Sequence, residues 1–348
     1  MSPSERSLVM DELPPDAGRD VTRTGRITAD PARLEARRVR RRRMDLLAKA
    51  VITVIAFVAI AAVALIFLFV AREALPLVFG QFRDEVTLGS MILPQAWREG
   101  AGAIFSWQPV STVPKYSLAP LVVGTLKVTV IALVFAVPLA VGAAVFSAEF
   151  ASRRTREIIK PAIEMLAGVP SVVLGFFALI VLASLLQNLF GFTYRLNGIV
   201  AGIALGLALI PVVYTVSEDA LIAVPRSYRE ASLALGASRA RTAWSVIVPA
   251  AAPGIFAAVV LGFGRAMGET MIVLMASGNA AVLSLDPTSS VRTIPATIAA
   301  EMGEVVVGGA HWSVLFLLGT LLFLVTLTFN TLGARYVARM RRKMGERS

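Results

Sequence analysis

Two residues of opposite charge stand in an otherwise apolar run, Arg265 and Glu269 between Pro253 and Ala276. At a spacing of four they would lie one turn apart on the same face of a helix. Each charge costs about 2.5 to 3.5 kcal/mol at a bilayer centre on insertion scales, and ionisable residues at that depth usually mark a pathway. A guanidinium is a permanent, fork-shaped donor suited to an oxyanion such as phosphate. An ionised carboxylate only accepts, so Glu269 would favour an anion that still carries a proton, as phosphate does at neutral pH and sulfate does not. The spacing predicts a buried ion pair that opens when an anion arrives. An ion pair that only fixes subunit packing is the competing account. Lys127, near the outer end of its run, can snorkel, and Glu164, Glu218, Asp219 and Asn330 read as solvated or locally bonded residues near the inner ends.

These residues need a membrane-spanning frame. In a chain of 348 residues, 56% of them hydrophobic, several apolar runs approach twenty residues, which excludes every soluble class. The runs are about Leu46 to Val70, Leu118 to Phe146, Pro170 to Leu186, Gly198 to Val216, Pro253 to Ala276 and Trp312 to Ala334. Basic residues concentrate in the leader, the second and fourth connections and the tail, so both termini are expected in the cytoplasm. The net charge of +11 is therefore a matter of orientation, and no nucleic-acid partner is expected. The chain has no cysteine and one histidine, His311, which argues against a thiolate or histidine metal centre and against a histidine proton relay. No catalytic constellation, metal site or cofactor is expected.

The organisation that follows is an all-α integral membrane protein. Residues 1–45 form a disordered basic cytoplasmic leader, 46–71 the first span and 72–117 an extracytoplasmic segment. Residues 118–337 form a core of five spans with a polar loop at about 225–249, and 338–348 a basic cytoplasmic tail. The leader carries an arginine block from Arg37 to Arg43 that suits anionic membrane lipid. Pro138 and Pro211 would bend their spans, and Gly198, Gly202 and Gly206 make a smooth strip for close helix packing.

The polar loop has its own logic. Pro225 can open a helix, Gly236 suits the left-handed position that closes one, and Ser238 is a good cap for the next. Two short helices hinged at Gly236 are expected, presenting small residues to a partner, before a break at Pro249 to Pro253.

Glu230-Ala231-Ser232, Gly236 and Val246-x-Val248-Pro249 resemble the EAA loop of bacterial ABC importer permeases, with conservative departures at Ser232, Val246 and Val248. Further stretches are similar to the phosphate-specific branch of that family, and to its C-type subunits in particular. They include Trp107-x-Pro109, Gly124-Thr125-Leu126, Leu166 to Phe177, Arg265-Ala266-Met267-Gly268-Glu269-Thr270-Met271 and Thr297 to Glu304. The resemblance spans about Phe105 to Arg335. It implies a six-span type I importer domain with a cytoplasmic coupling helix, a translocation path at Arg265, Glu269 and Thr270, and an ATPase-docking loop at Glu230, Ala231, Gly236 and Pro249. The partners it implies are an A-type phosphate permease subunit in a heterodimer, two cytoplasmic ATPase subunits and an extracytoplasmic phosphate-binding protein. The chain itself carries no G-x-x-x-x-G-K-[ST] loop, so ATP hydrolysis is expected on another polypeptide. Three alternatives are a permease for molybdate, tungstate or sulfate, a secondary transporter or channel, and a membrane scaffold or sensor that does not transport.

Overall fold

The computed structural model describes residues 31–95 and 102–345; the expected disorder of residues 1–30 falls outside them. The first helix, α1 (Pro31–Val78), begins within the stretch expected as leader and runs through the first span. Contacts divide the chain at Ile66, giving a first unit that is helix from Pro31 and a second unit, Phe67–Ser348. The second unit continues with the short α2 (Leu88–Ile92) and the hairpin β1 (Trp107–Gln108) and β2 (Lys115–Tyr116), which pair antiparallel with Trp107 opposite Tyr116.

The helical core follows. It comprises α3 (Ala119–Val145), α4 (Arg153–Ala167), α5 (Ser171–Phe177), α6 (Ala183–Phe190), α7 (Gly198–Ile222), α8 (Arg226–Ala234) and α9 (Arg239–Thr242). Then come α10 (Val248–Met267), α11 (Met271–Ala276), α12 (Ile294–Glu301) and α13 (Ala310–Gly345). Three π turns, Phe146–Phe150, Ala178–Leu182 and Ala243–Ile247, widen the helices they join. Among the described residues, six helices are long and apolar enough to cross a membrane: Met44–Val78, Ala119–Phe150, Ser171–Phe190, Gly198–Ile222, Arg239–Met267 and Ala310–Lys343.

The fifth span departs from expectation at both ends. It starts at Arg239 and passes without a break through Pro249 and Pro253. A proline removes one hydrogen bond and crowds the carbonyl four residues back. The π turn just before Pro249 already sets that register aside, so the ring fits where a regular helix would kink. The second of the two short loop helices, α9, is accordingly the first turn of the span. At the other end the span stops at Met267, and α11 is separate.

The α7 span is the centre of the bundle. Its glycine strip packs against α3: a side chain at Gly202 would run into Ile131, and one at Gly206 would lie 2.7 Å from the Phe135 ring. Pro138 and Pro211 lie inside α3 and α7, both of which continue past them. A second core, around Trp107, Tyr116, Leu121, Ile294 and Leu315, binds the hairpin to α12 and α13 as a small lobe. The lobe end and the α8 end lie at opposite ends of α7, because the loop before α12 bonds to the start of α7 (Gly198 N–H to Ser289 carbonyl, 3.0 Å) while α8 follows its finish.

Candidate translocation and docking sites

Arg265 occupies the last turn of α10 and is exposed. A cation is favourable there, facing the negative end of the helix dipole. Gly268 caps the helix, donating to the Arg265 carbonyl at 3.3 Å, and Glu269 and Thr270 lie in the gap before α11. Glu269 is therefore not one helical turn beyond Arg265. The predicted buried ion pair is absent among the described residues: neither side chain has an ionic partner, Arg265 faces outward, and Glu269 is half-buried. The Thr270 hydroxyl donates to the Gly268 carbonyl at 3.3 Å, inside the same gap. The error came from extending one helical period across Gly268.

A broken helix at membrane depth persists only where protein or a cavity satisfies its backbone. Here α5 supplies the support. A side chain at Gly175 would meet the Met271 carbonyl at 3.1 Å and the Ile272 Cα at 3.2 Å, so only a bare backbone lets α5 lie this close to α11. Two stretches separate in sequence, Leu166 to Phe177 and Arg265 to Met271, thus come into contact at Gly175 and Met271. Lys127, expected to snorkel, instead donates to the Asp286 carbonyl at 2.8 Å and the Ser289 hydroxyl at 3.1 Å, pinning the loop before α12. In that loop the Asp286 carboxyl is held below its usual range by the Thr288 backbone N–H and then by the Thr288 hydroxyl.

The docking loop follows its sequence logic closely. Pro225 is the residue before α8, Gly236 closes the turn after it at φ +85°, and the Ser238 hydroxyl accepts from the Arg241 N–H to start α9. Ser232, a departure from the family's alanine, has a local use: its hydroxyl lies 2.9 Å from that of Thr242 and ties α8 to the start of the fifth span. Glu230, Ala231 and Gly236 are exposed, as are Leu233 and, at 89%, Leu235. Pro249 is exposed too, but within the span helix and not at a break.

Residues 136–343, which contain both sites, match the family described as the binding-protein-dependent transport system inner membrane component. The chain belongs to this family. It is similar to the probable ABC transporter permease protein YqgH of Bacillus subtilis, 36% identical over 68% of this chain and 76% of that one. It is also similar to two proteins named phosphate transport system permease protein PstC. That of Pasteurella multocida is 32% identical over 81% of this chain and 90% of its own, and that of Mesorhizobium japonicum 36% identical over 67% and 76%. Among solved structures, the inward-facing MetNI methionine ABC transporter aligns with 64% of this chain and 94% of its own at a TM-score of 0.49 and 17% identity. A bacterial ABC transporter involved in alginate import aligns with 62% and 77% at a TM-score of 0.48 and 14% identity.

In this inner membrane component, three ionic clusters hold the helix ends, and the sequence reading missed all of them. Glu218, expected to be solvated, has no exposed side-chain surface. It accepts from the Ser147 hydroxyl at 2.8 Å and pairs with Arg156 and Lys160 of α4, each at 3.0 Å. The hydrogen bond to Glu218 raises the Lys160 pKa against the opposing effect of burial. Arg156 and Lys160 lie four apart on an amphipathic helix, and that two-pronged cation was the one available hint. Glu149 and Arg229 form the second cluster. At the lobe end Glu301 pairs with Arg292 at 2.8 Å and His311 at 2.9 Å and accepts from the Trp107 indole at 3.1 Å. Beside it, burial pushes the Tyr116 phenol up to about 12, with the charges of Glu85 and Glu301 adding to the effect.

Proposed function

We propose that this chain is the permease subunit of an ATP-driven importer of inorganic phosphate, through which phosphate delivered by an extracytoplasmic binding protein crosses the membrane. The observation that carries the reading is Arg265: a permanent cation, exposed and without an ionic partner among the described residues, in the last turn of the fifth span beside a helix break. Facing lipid it would cost about 2.5 to 3.5 kcal/mol on insertion scales, so it belongs against a partner subunit or a water-filled path. A guanidinium in a low-dielectric path is a strong ligand for a phosphate oxygen. Glu269 and Thr270, in the same gap, line that path, and the carboxylate selects the protonated anion. The separation of the two charges means that phosphate need not break an ion pair to bind. The names of the PstC relatives support phosphate as the cargo.

The rest of the assembly follows from this reading. An A-type permease completes the path opposite Arg265, and two ATPase subunits grip the exposed face of α8 and its counterpart. The α8 end and both termini are cytoplasmic, and the lobe faces the binding protein. The chain contributes no catalysis; it converts closure of the ATPases into a change of accessible face. In vesicles holding the whole complex, uptake of labelled phosphate should require ATP and resist excess sulfate and molybdate. Competition by either anion at the same concentration would overturn phosphate selectivity, and uptake without ATP would favour a secondary transporter.

A further inference from the structure

Arg229 lies on the inner side of α8, away from the exposed residues of the docking helix. Its guanidinium makes a fork to Glu149, with Nε 3.1 Å from both carboxylate oxygens and Nη2 2.6 Å from Oε1. The same side chain donates from Nη1 to the Val224 carbonyl and from Nη2 to the Leu221 carbonyl, each at 3.0 Å. One cation thus ties α8 to the end of the second span and to the last turn of α7. Both partners are largely withdrawn from solvent, at 23% and 10% exposure, where a charge-assisted fork is strong and geometrically specific.

Glu149 is set in the π turn that ends the second span, and Ser147 in the same turn reaches Glu218 of α7. Such turns are uncommon and concentrate at functional positions. Besides the fork, α8 is held by the chain bends at Pro225 and Gly236, by the Arg229 bonds to the Val224 and Leu221 carbonyls and by the Ser232–Thr242 contact.

We infer that Arg229 and Glu149 form a clamp that makes the docking helix and the inner ends of the second and fourth spans move as one body, so that motion of an ATPase partner reaches both spans together. This rests on the functional reading above and adds to it a pair of positioning residues and the spans they drive. A clamp differs from simple structural support in what its loss does. Support affects assembly, whereas the clamp affects how much transport each ATP yields.

The test uses the whole complex in vesicles, with ATP hydrolysis and phosphate uptake measured on the same preparation. Glu149→Gln should still assemble and hydrolyse ATP, while uptake per ATP falls about tenfold or more, as expected for losing a charge-assisted hydrogen bond. Glu149→Asp, which keeps the charge, should recover part of the ratio. An unchanged ratio in Glu149→Gln would overturn the clamp. A second measurement leaves the clamp intact. Since the chain has no cysteine, spin labels at Ser227→Cys on α8 and Phe150→Cys on the π turn report one distance. That distance should be the same in the resting and the vanadate-trapped complex, and a shift beyond the label's own spread would overturn the proposal. If the native complex shows no ATP-driven phosphate uptake, the functional reading fails, and the label distance still decides the clamp.

Discussion

Single side chains do three separate jobs in this chain, and burial distinguishes them. Glu218 and Glu301 are buried or nearly so and neutralised by cations, which fixes helix ends. Arg265 is the reverse, a charge without an ionic partner among the described residues beside a helix break, and the proposed function makes it the group that meets the anion. Asp286 is a local fastener. Its pKa is lowered by Thr288, so the unfolded loop binds its proton more tightly than the folded one. The sign follows: the stabilisation is present above the unfolded value of about 3.9 and is lost as pH falls through the lower folded value. A spin label at Leu285→Cys, beside Asp286, should therefore keep one mobility from neutral pH down to about 4 and become more mobile below it. Adding Asp286→Asn should give the mobile spectrum throughout, and a label insensitive to both changes would contradict this account of the loop.

Between elements, close approach and helix ends decide the outcome. The glycine strip of α7 admits Ile131 and Phe135 of α3, so Gly202→Val should overpack the contact and cost about 1 to 3 kcal/mol. A lower melting temperature of the purified protein in detergent checks this, and an unchanged one would show the contact to be loose. Local features of this kind were legible in the sequence: the left-handed Gly236, the Ser238 cap and the glycine strip each depend on residues a few positions apart. The fifth span was misread for a related reason. Proline and glycine are only punctuation until the surrounding helix is known, and here a π turn let Pro249 pass, the helix ran on through Pro253, and Gly268 ended it. Glu149 with Arg229, Glu218 with Ser147, and Glu301 with Trp107 were illegible, because the partners come from different elements far apart in the chain and one sequence contains no signal joining them.

At the scale of the molecule, the proposed function asks the same bundle to present a ligand-seeking cation on an exposed face and to transmit force from its α8 end. In that reading the break after Met267 serves the first requirement by separating Arg265 from Glu269, and the ionic clusters that join helix ends serve the second. The α8 end and the lobe end lie at opposite ends of α7, the arrangement that the proposed import reading calls for. The central claim is that Arg265 contacts the phosphate in transit. Its most direct test is ATP-driven uptake of labelled phosphate by vesicles holding the complex with Arg265→Gln, after confirming that the ATPase subunits still copurify. The account predicts uptake lowered about a hundredfold, the scale of a lost charged hydrogen bond of about 3 kcal/mol, with Arg265→Lys intermediate. Uptake at the native rate in the glutamine variant would contradict it and assign Arg265 to subunit packing.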